Sequence, residues 1–277
     1  MIDLLARRRG MMGASGGEHD YSKDYLTTEI LESGTFSFII PQALNTDNLT
    51  SVSYSTDDGA TWVTTANVDS TTVTITTPTL SIGSKVLWKG EGLRFATSAS
   101  NYARLITDYK TFNVSGNILS LLCGDNYEQE TRPNSRAFCG LFRQTRVVDA
   151  SNLILSGAMG GDMYNAMFYG CTYLIAPPQL PSTLSGGCFS QMFLNCYSLE
   201  IAPTLSAPTL QQWAYSYIFQ GCSSLRYIKM LATDVSAYRC LYNWVLDVGS
   251  TGTFVKSADA AWSESDVVPS GWTVITE

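Results

Sequence analysis

Apolar side chains recur along the second half of the chain at a long and nearly constant interval. The anchors Phe142, Phe168, Phe193 and Phe219 return with a period of about 25 residues, the range of a solenoid repeat. Around each anchor the same neighbours return: an aromatic ring four positions earlier (Phe138, Tyr164, Phe189, Tyr215) and an apolar residue one position earlier. A small residue follows three positions later (Thr145, Cys171, Cys196, Cys222), and Val148, Leu174, Leu199 or Leu225 six later. Twelve later comes a second rung of Ile154, Leu180, Leu205 and Leu231. Trp244 lies one further period beyond Phe219 and predicts a fifth, terminal copy. The ring at minus four, the apolar residue at minus one and the anchor share one face of a short helical turn. A coil of this kind cannot bury its own apolar residues, so the copies must stack, and the pattern predicts a short solenoid. Each fully buried Phe or Leu contributes roughly 1.5–3 kcal/mol, so a few coils can hold together. Pro177, Pro178, Pro181, Pro203 and Pro208 fall between the rungs. Without an N–H to donate, they predict irregular or extended linking segments.

The first half has a shorter period. Residues 35–40 and 72–76 alternate with period two, and Val52-Ser53-Tyr54 and Lys85-Val86-Leu87-Trp88 are further strand candidates. Asp57-Asp58-Gly59, between apolar segments, is a hairpin signal. Strands at this spacing predict a small β-sandwich-like domain. The expected organisation is therefore β-rich: an arm over 1–20, a β-sandwich-like domain over 21–122, a solenoid of four to five coils over 123–245 and a β cap over 246–277.

Two resemblances attach to these residues. The repeated Met-Phe-x-x-Cys-x-x-Leu core, as in Met167-Phe168 to Leu174 and Met192-Phe193 to Leu199, resembles the BspA-type leucine-rich repeat. It covers the chain from Phe138 to about Trp244, with a proline-bearing insertion that lengthens the usual period. The resemblance implies an internal ladder of Cys171, Cys196 and Cys222 with a structural role. Ser55-x-Asp57-x-Gly59-x-Thr61-Trp62 resembles the Asp-box of sialidases and other propellers, a hairpin-stabilising turn remote from catalysis. It occurs once, so no propeller follows. Taken with Arg7-Arg8-Arg9-Gly-Met-Met and the strand-like ending, the whole is similar to proteins of bacteriophages and prophages of gut anaerobes.

Composition narrows the function. The 277 residues are 45% hydrophobic and only 15% charged, with formal charge −7, and no basic stripe exists beyond Arg7, Arg8 and Arg9. A nucleic-acid partner is not expected. No apolar run approaches the length of a membrane-spanning helix. The sole histidine, His19, sits in a Gly-rich arm, and no C-x-x-C pair occurs among the seven cysteines. Zinc sites need such clusters, and histidine-dependent catalysis has nothing else to use. Gly157 to Gly161 lacks the lysine of a phosphate loop, and the acid pairs Asp57/Asp58 and Glu128/Glu130 sit in turn-like contexts. No catalytic, cofactor-binding or metal-binding residue is assigned.

Binding is the expected activity. Tyrosines fall at variable repeat positions: Tyr169, Tyr173, Tyr197, Tyr217, Tyr227, Tyr238 and Tyr242. They either pack between coils or offer contact area to a host surface protein or glycan. The N-terminal order, apolar residues before arginines, is the reverse of a secretory signal. It predicts an attachment arm in which Arg7, Arg8 and Arg9 dock on acidic virion proteins. The expected location is the virion, with a bacterial cell-surface adhesin as the alternative and a homo-oligomer as an open possibility.

Overall fold

A computed structural model of the protein describes residues 19–44, 47–67, 71–98, 100–129 and 134–277. The arm containing Arg7, Arg8 and Arg9 lies outside the described residues. The chain is β-rich and forms several sheets, none closed on itself.

The described residues of the first half form eight strands: β1 (Leu26–Ile30), β2 (Phe36–Ile40), β3 (Leu49–Ser55), β4 (Val63–Ala66), β5 (Val73–Thr76), β6 (Lys85–Gly92), β7 (Arg104–Thr107) and β8 (Phe112–Asn117). One sheet has the order β4-β3-β6-β1-β8 and a second the order β5-β2-β7, all antiparallel. Alternation along β2 puts Phe36, Phe38 and Ile40 on its buried face. There the Phe36 ring lies 5.2 Å from Phe112 and Phe38 6.0 Å from Trp88, both on the other sheet. The buried indole N–H of Trp88 donates to Thr28 Oγ1 at 2.9 Å. Ser120 Oγ accepts from Leu26 N and donates to Trp88 O, so the polar groups at this centre are paired.

The sheet continues into the repeats. A short strand β9 (Asn152–Ile154) adds to β8 in parallel, giving the six-stranded order β4-β3-β6-β1-β8-β9. Phe95 stacks on Phe138 at 5.9 Å, and Phe112 meets Phe142 at 6.5 Å. One apolar core therefore runs from the strands into the repeats across residues 122–123.

In the repeats, the anchor segments are not short helices. They are ribbons of consecutive turns in which every fourth residue has positive φ: Asp162, Ala166 and Gly170 in one coil, Gly187, Gln191 and Asn195 in the next, Trp213, Tyr217 and Gly221 in the third. Main-chain N–H groups divide between two uses. Those of Asn165, Met167 and Tyr169 close turns onto the carbonyls of Asp162, Tyr164 and Ala166. The alternate ones, from Asp162, Tyr164, Ala166, Phe168 and Gly170, donate to Gly186, Cys188, Ser190, Met192 and Leu194 of the next coil. A helix would spend every N–H internally and leave none for stacking; the ribbon keeps half of them for its neighbour. Left-handed backbone at a residue with a side chain costs on the order of 1–3 kcal/mol, and the inter-coil ladder offsets it.

The ribbon sends two columns of rings inward. Phe138, Tyr164, Phe189 and Tyr215 stack with centroids 5.7, 5.7 and 6.1 Å apart. Phe142, Phe168, Phe193 and Phe219 form the second column at 5.4, 5.9 and 5.8 Å. All eight are fully buried, as are Leu174, Leu199 and Leu225. Leu180 and Leu205 are buried, whereas in the first and fourth coils Leu153 and Met230 replace the expected Ile154 and Leu231. Both lie in extended segments, β9 and β10 (Tyr227–Met230), where a one-residue shift exchanges the inward and outward faces. Val147, not Val148, is likewise the buried residue of the first coil. The fifth copy is present in the backbone but offset by one. Arg239, Asn243 and Asp247 carry the positive φ, which makes Trp244 the equivalent of Ile218 and Val245 that of Phe219. Trp244 still packs 6.3 Å from Phe219.

β10 of the fourth coil forms a parallel three-stranded sheet with two strands that follow the last ribbon, β11 (Thr253–Lys256) and β12 (Thr273–Thr276). Three indoles tie this end down through main-chain carbonyls: Trp244 to Val267, Trp262 to Ala232 and Trp272 to Gly249. At Gly252 an added Cβ would lie 2.8 Å from the Trp272 ring, so only glycine allows this approach.

Candidate functional site

Because the ribbon turns inward at the rings, its other positions form outward rows that step from coil to coil. One row contains the first positive-φ residue of each coil: Arg136, Asp162, Gly187, Trp213 and Arg239. Arg136 and Asp162 pair at 3.1 Å. At the far end of the row the Arg239 guanidinium lies 5.0 Å from the Trp213 ring, 5.3 Å from Tyr238 and 4.8 Å from Tyr242. Tyr217 meets Tyr242 edge-on at 5.2 Å and adds a fourth ring to the three around the cation. A cation over aromatic faces is stabilised by their quadrupoles while its N–H edge stays available.

A second patch involves the first two coils. Arg143 lies 4.2 Å from Tyr169 and 5.8 Å from Tyr102, and Arg146 5.2 Å from Tyr173 and 5.7 Å from Tyr109. Of the tyrosines expected to bind, Tyr169 and Tyr173 thus belong to this patch and Tyr217 to the other. Tyr173 and Tyr197 are about half exposed, at 44% and 48%. Tyr227 is half-buried in β10. Among the described residues no ring contact joins Tyr197 or Tyr227 to either patch. Tyr238 and Tyr242 belong with Tyr217, so the seven do not form one surface. Trp213, Arg143, Arg146 and Arg239 were not singled out in the sequence. The available signal was the period itself, since Trp213 and Arg239 stand one repeat apart.

The cysteine ladder faces the interior. The thiols of Cys171, Cys196 and Cys222 donate to the carbonyls of Phe142, Phe168 and Phe193, in each case one coil back, at 3.0, 3.2 and 3.0 Å. Thr145 Oγ1 occupies the same position in the first coil and bonds its own Phe142 O at 2.7 Å. Burial pushes the Cys171 and Cys222 thiols up to about 12 and Cys196 well above its ordinary value, and none of the three is in a disulfide.

On the first half, the Asp-box segment closes the β3–β4 turn. Asp57 accepts from Ser55 Oγ, Thr61 N and Thr61 Oγ1, while Ser55 Oγ accepts from Gly59 N. Asp58 and Gly59 have positive φ, as this turn requires. Hydrogen bonds from Thr61 and Ser55 lower the Asp57 carboxyl to about 2. Beside the turn, the Lys89 ammonium lies 4.1 Å from the Trp62 ring and bonds Asp125 at 2.8 Å, and Tyr25 donates to the same carboxylate at 2.7 Å. Two open, polar depressions of about 430 and 460 Å³ flank this cluster; Lys89 and Asp125 line one, Tyr25 and His19 the other. His19 Nε2 is 2.6 Å from Asp24 on the surface. Of the acid pairs noted in the sequence, Glu130 lies outside the described residues. Among the described residues no group of three His, Cys, Asp or Glu is placed to hold a metal ion, and no helix is long and apolar enough to cross a membrane.

Comparison of the chain with protein-family models, with curated proteins and with solved structures returned no match.

Proposed function

We propose that the protein is a non-enzymatic display protein whose stacked coils form a BspA-type leucine-rich-repeat solenoid and whose outward rows bind a host surface protein or glycan. The observation that carries this reading is the pair of arginine–aromatic patches, around Arg239 and around Arg143 and Arg146. Rings, hydroxyls and guanidinium groups held on a rigid stack give large contact area with little side-chain entropy to lose on binding. The solenoid reading is supported by the ring columns and by the thiol-to-carbonyl ladder at the family's Cys position. The parallel strands at the end act as its cap, and the two sheets of the first half as a β-sandwich-like base.

Carriage on a virion is the accompanying proposal. It rests on the resemblance to phage and prophage proteins and on the basic segment Arg7-Arg8-Arg9 in an otherwise acidic chain. A basic arm gains affinity from acidic partners in a salt-sensitive way. Mass spectrometry of purified particles tests it: the protein should be present, and a chain lacking residues 1–17 should fold but no longer incorporate. Full-length protein absent from particles and found on the bacterial envelope would replace this reading with a cell-surface adhesin.

A further inference from the structure

We infer that the patch formed by Trp213, Tyr217, Tyr238, Arg239 and Tyr242 is a binding site for a carboxylate-bearing sugar. This rests on the display reading above and assigns it a place and a ligand class.

Three observations converge on the site. The first concerns Arg239. Among the described residues, Arg136, Arg226, Lys229 and Lys256 of the second half all pair with acids. Arg239 is exposed; like those of Arg143 and Arg146, its side chain makes no hydrogen bond or ion pair among the described residues, and it is held by three rings instead. Its planar fork of donors is oriented and free, which suits a carboxylate bound through two parallel hydrogen bonds.

The second is the indole of Trp213. The N–H groups of Trp88, Trp244, Trp262 and Trp272 each have a partner within the chain. That of Trp213, like that of Trp62 in the first half, has none among the described residues, and the ring is only half-buried. The preceding coil supplies no side chain at this row, because its equivalent residue is Gly187, preceded by Gly186. An indole left open on that side, with a free donor at its edge, is a platform for a sugar ring.

The third is side-chain bulk on a left-handed backbone. Trp213, Tyr217 and Arg239 have φ of 61°, 58° and 52°. The equivalent positions of other coils hold Arg136, Asp162 and Gly187 in one row and Gly140, Ala166, Gln191 and Asn243 in the other, all with positive φ. Left-handed backbone is the rule of the ribbon at these positions, and what is particular to this site is that three bulky side chains stand on it side by side.

A sugar is favoured over a peptide by what the main chain can offer. The N–H groups of Trp213, Tyr215, Tyr217 and Phe219 are already bonded to Tyr238, Cys240, Tyr242 and Trp244 of the next coil, and those of Ser216, Ile218 and Gln220 close turns. No strand can be added to the fourth coil's backbone; the N–H groups of Arg239 and Asn243 in the fifth coil have no acceptor among the described residues, but what the patch gathers in one place is rings, hydroxyls and the guanidinium, the groups that recognise an acidic sugar. In a chain of net charge −7, a cation without an acid partner gives this spot a local preference for anions.

Isothermal titration of the full chain with 3′-sialyllactose, a hyaluronan hexasaccharide and neutral lactose tests the inference. At least one acidic sugar should bind about tenfold or more tightly than lactose, the worth of one charge-assisted contact. Arg239→Gln should abolish that preference with an unchanged melting curve, and Trp213→Phe should weaken acidic and neutral sugars alike. Failure of both acidic sugars to bind, or wild-type binding by Arg239→Gln, overturns the proposal. Binding of polyglutamate but of no sugar, lost in Arg239→Gln, overturns the ligand class. Attachment to host cells separates the two readings. Undiminished attachment by Arg239→Gln removes the sugar site and leaves the display function, whereas no attachment by the wild type removes the display function itself.

Discussion

The thiol of Cys196 donates to the main-chain carbonyl of Phe168, one coil back, at 3.2 Å. The same carbonyl accepts from Cys171 N of its own coil at 3.0 Å, so the thiol fills its second lone pair and adds a link between coils. Cys171 and Cys222 repeat the contact with Phe142 and Phe193. These thiols should therefore label slowly with a thiol reagent in the native protein and completely after denaturation. Fast labelling of all three, or a disulfide between any two, would remove the ladder from the account.

Two tyrosines in one ring column make an internal control. The Tyr164 hydroxyl accepts from Ser156 N at 2.8 Å, whereas the Tyr215 hydroxyl is buried with no partner among the described residues. Phe138 and Phe189 show that the column takes phenylalanine. Tyr164→Phe leaves a buried N–H unpaired and should destabilise by about 1–3 kcal/mol. Tyr215→Phe should be neutral or stabilising by up to about 1 kcal/mol. Denaturant melts of the two variants check this, and equal losses would contradict it.

Left-handed positions in the ribbon make a second pair. Gly187 has φ of 67°, and an added Cβ would fall 2.2 Å from Asp162 Oδ1. Gln191, also left-handed at φ 58°, already carries a side chain. Gly187→Ala should cost on the order of 1–3 kcal/mol, while Gln191→Gly should cost nothing or stabilise slightly. Thermal melts distinguish the two outcomes.

The Asp57 carboxyl sets a pH dependence. Its folded value of about 2 lies below the ordinary 3.8, so the hairpin gains stability that is complete above pH 3.8. That gain is lost as pH falls from there through about 2. An NMR titration of the Asp57 side chain should show the depressed midpoint, and Asp57→Asn should remove this part of the acid sensitivity. A midpoint near 3.8 would mean that the turn's hydrogen bonds do not persist in solution.

Much of this arrangement was legible in the sequence. The anchors Phe142, Phe168, Phe193 and Phe219 and the small residues three beyond them are tied to their positions by packing, which leaves a strict period. The strands β2 and β5 were visible because one face of each is buried and alternation follows. β1 was not, because Leu26, Thr27 and Thr28 are all buried in the middle of a sheet and no alternation survives. The ribbon itself was hidden for a different reason. Its backbone demands a left-handed residue at every fourth position, yet glycine fills only some of them, and Gln144, Asp162, Ala166, Trp213 and Arg239 fill others. No residue type marks the rule, so the spacing of rings resembles a helical face. The arginine–aromatic patches escaped because they join equivalent positions of neighbouring coils, a whole repeat apart, rather than neighbours in sequence.

The central claim is that the repeats form one stack held by its ring columns, and Phe193 sits inside the second column, 5.9 Å from Phe168 and 5.8 Å from Phe219. Amide hydrogen exchange of Phe193→Ala beside the wild type tests this most directly. In the wild type the N–H groups of Phe168, Phe193 and Phe219, which donate to Met192, Ile218 and Trp244, should be among the most protected. The substitution should cost about 3–5 kcal/mol and reduce protection in all three coils together. Exchange at Phe168 and Phe219 unchanged in the variant, or fast already in the wild type, would contradict the stack.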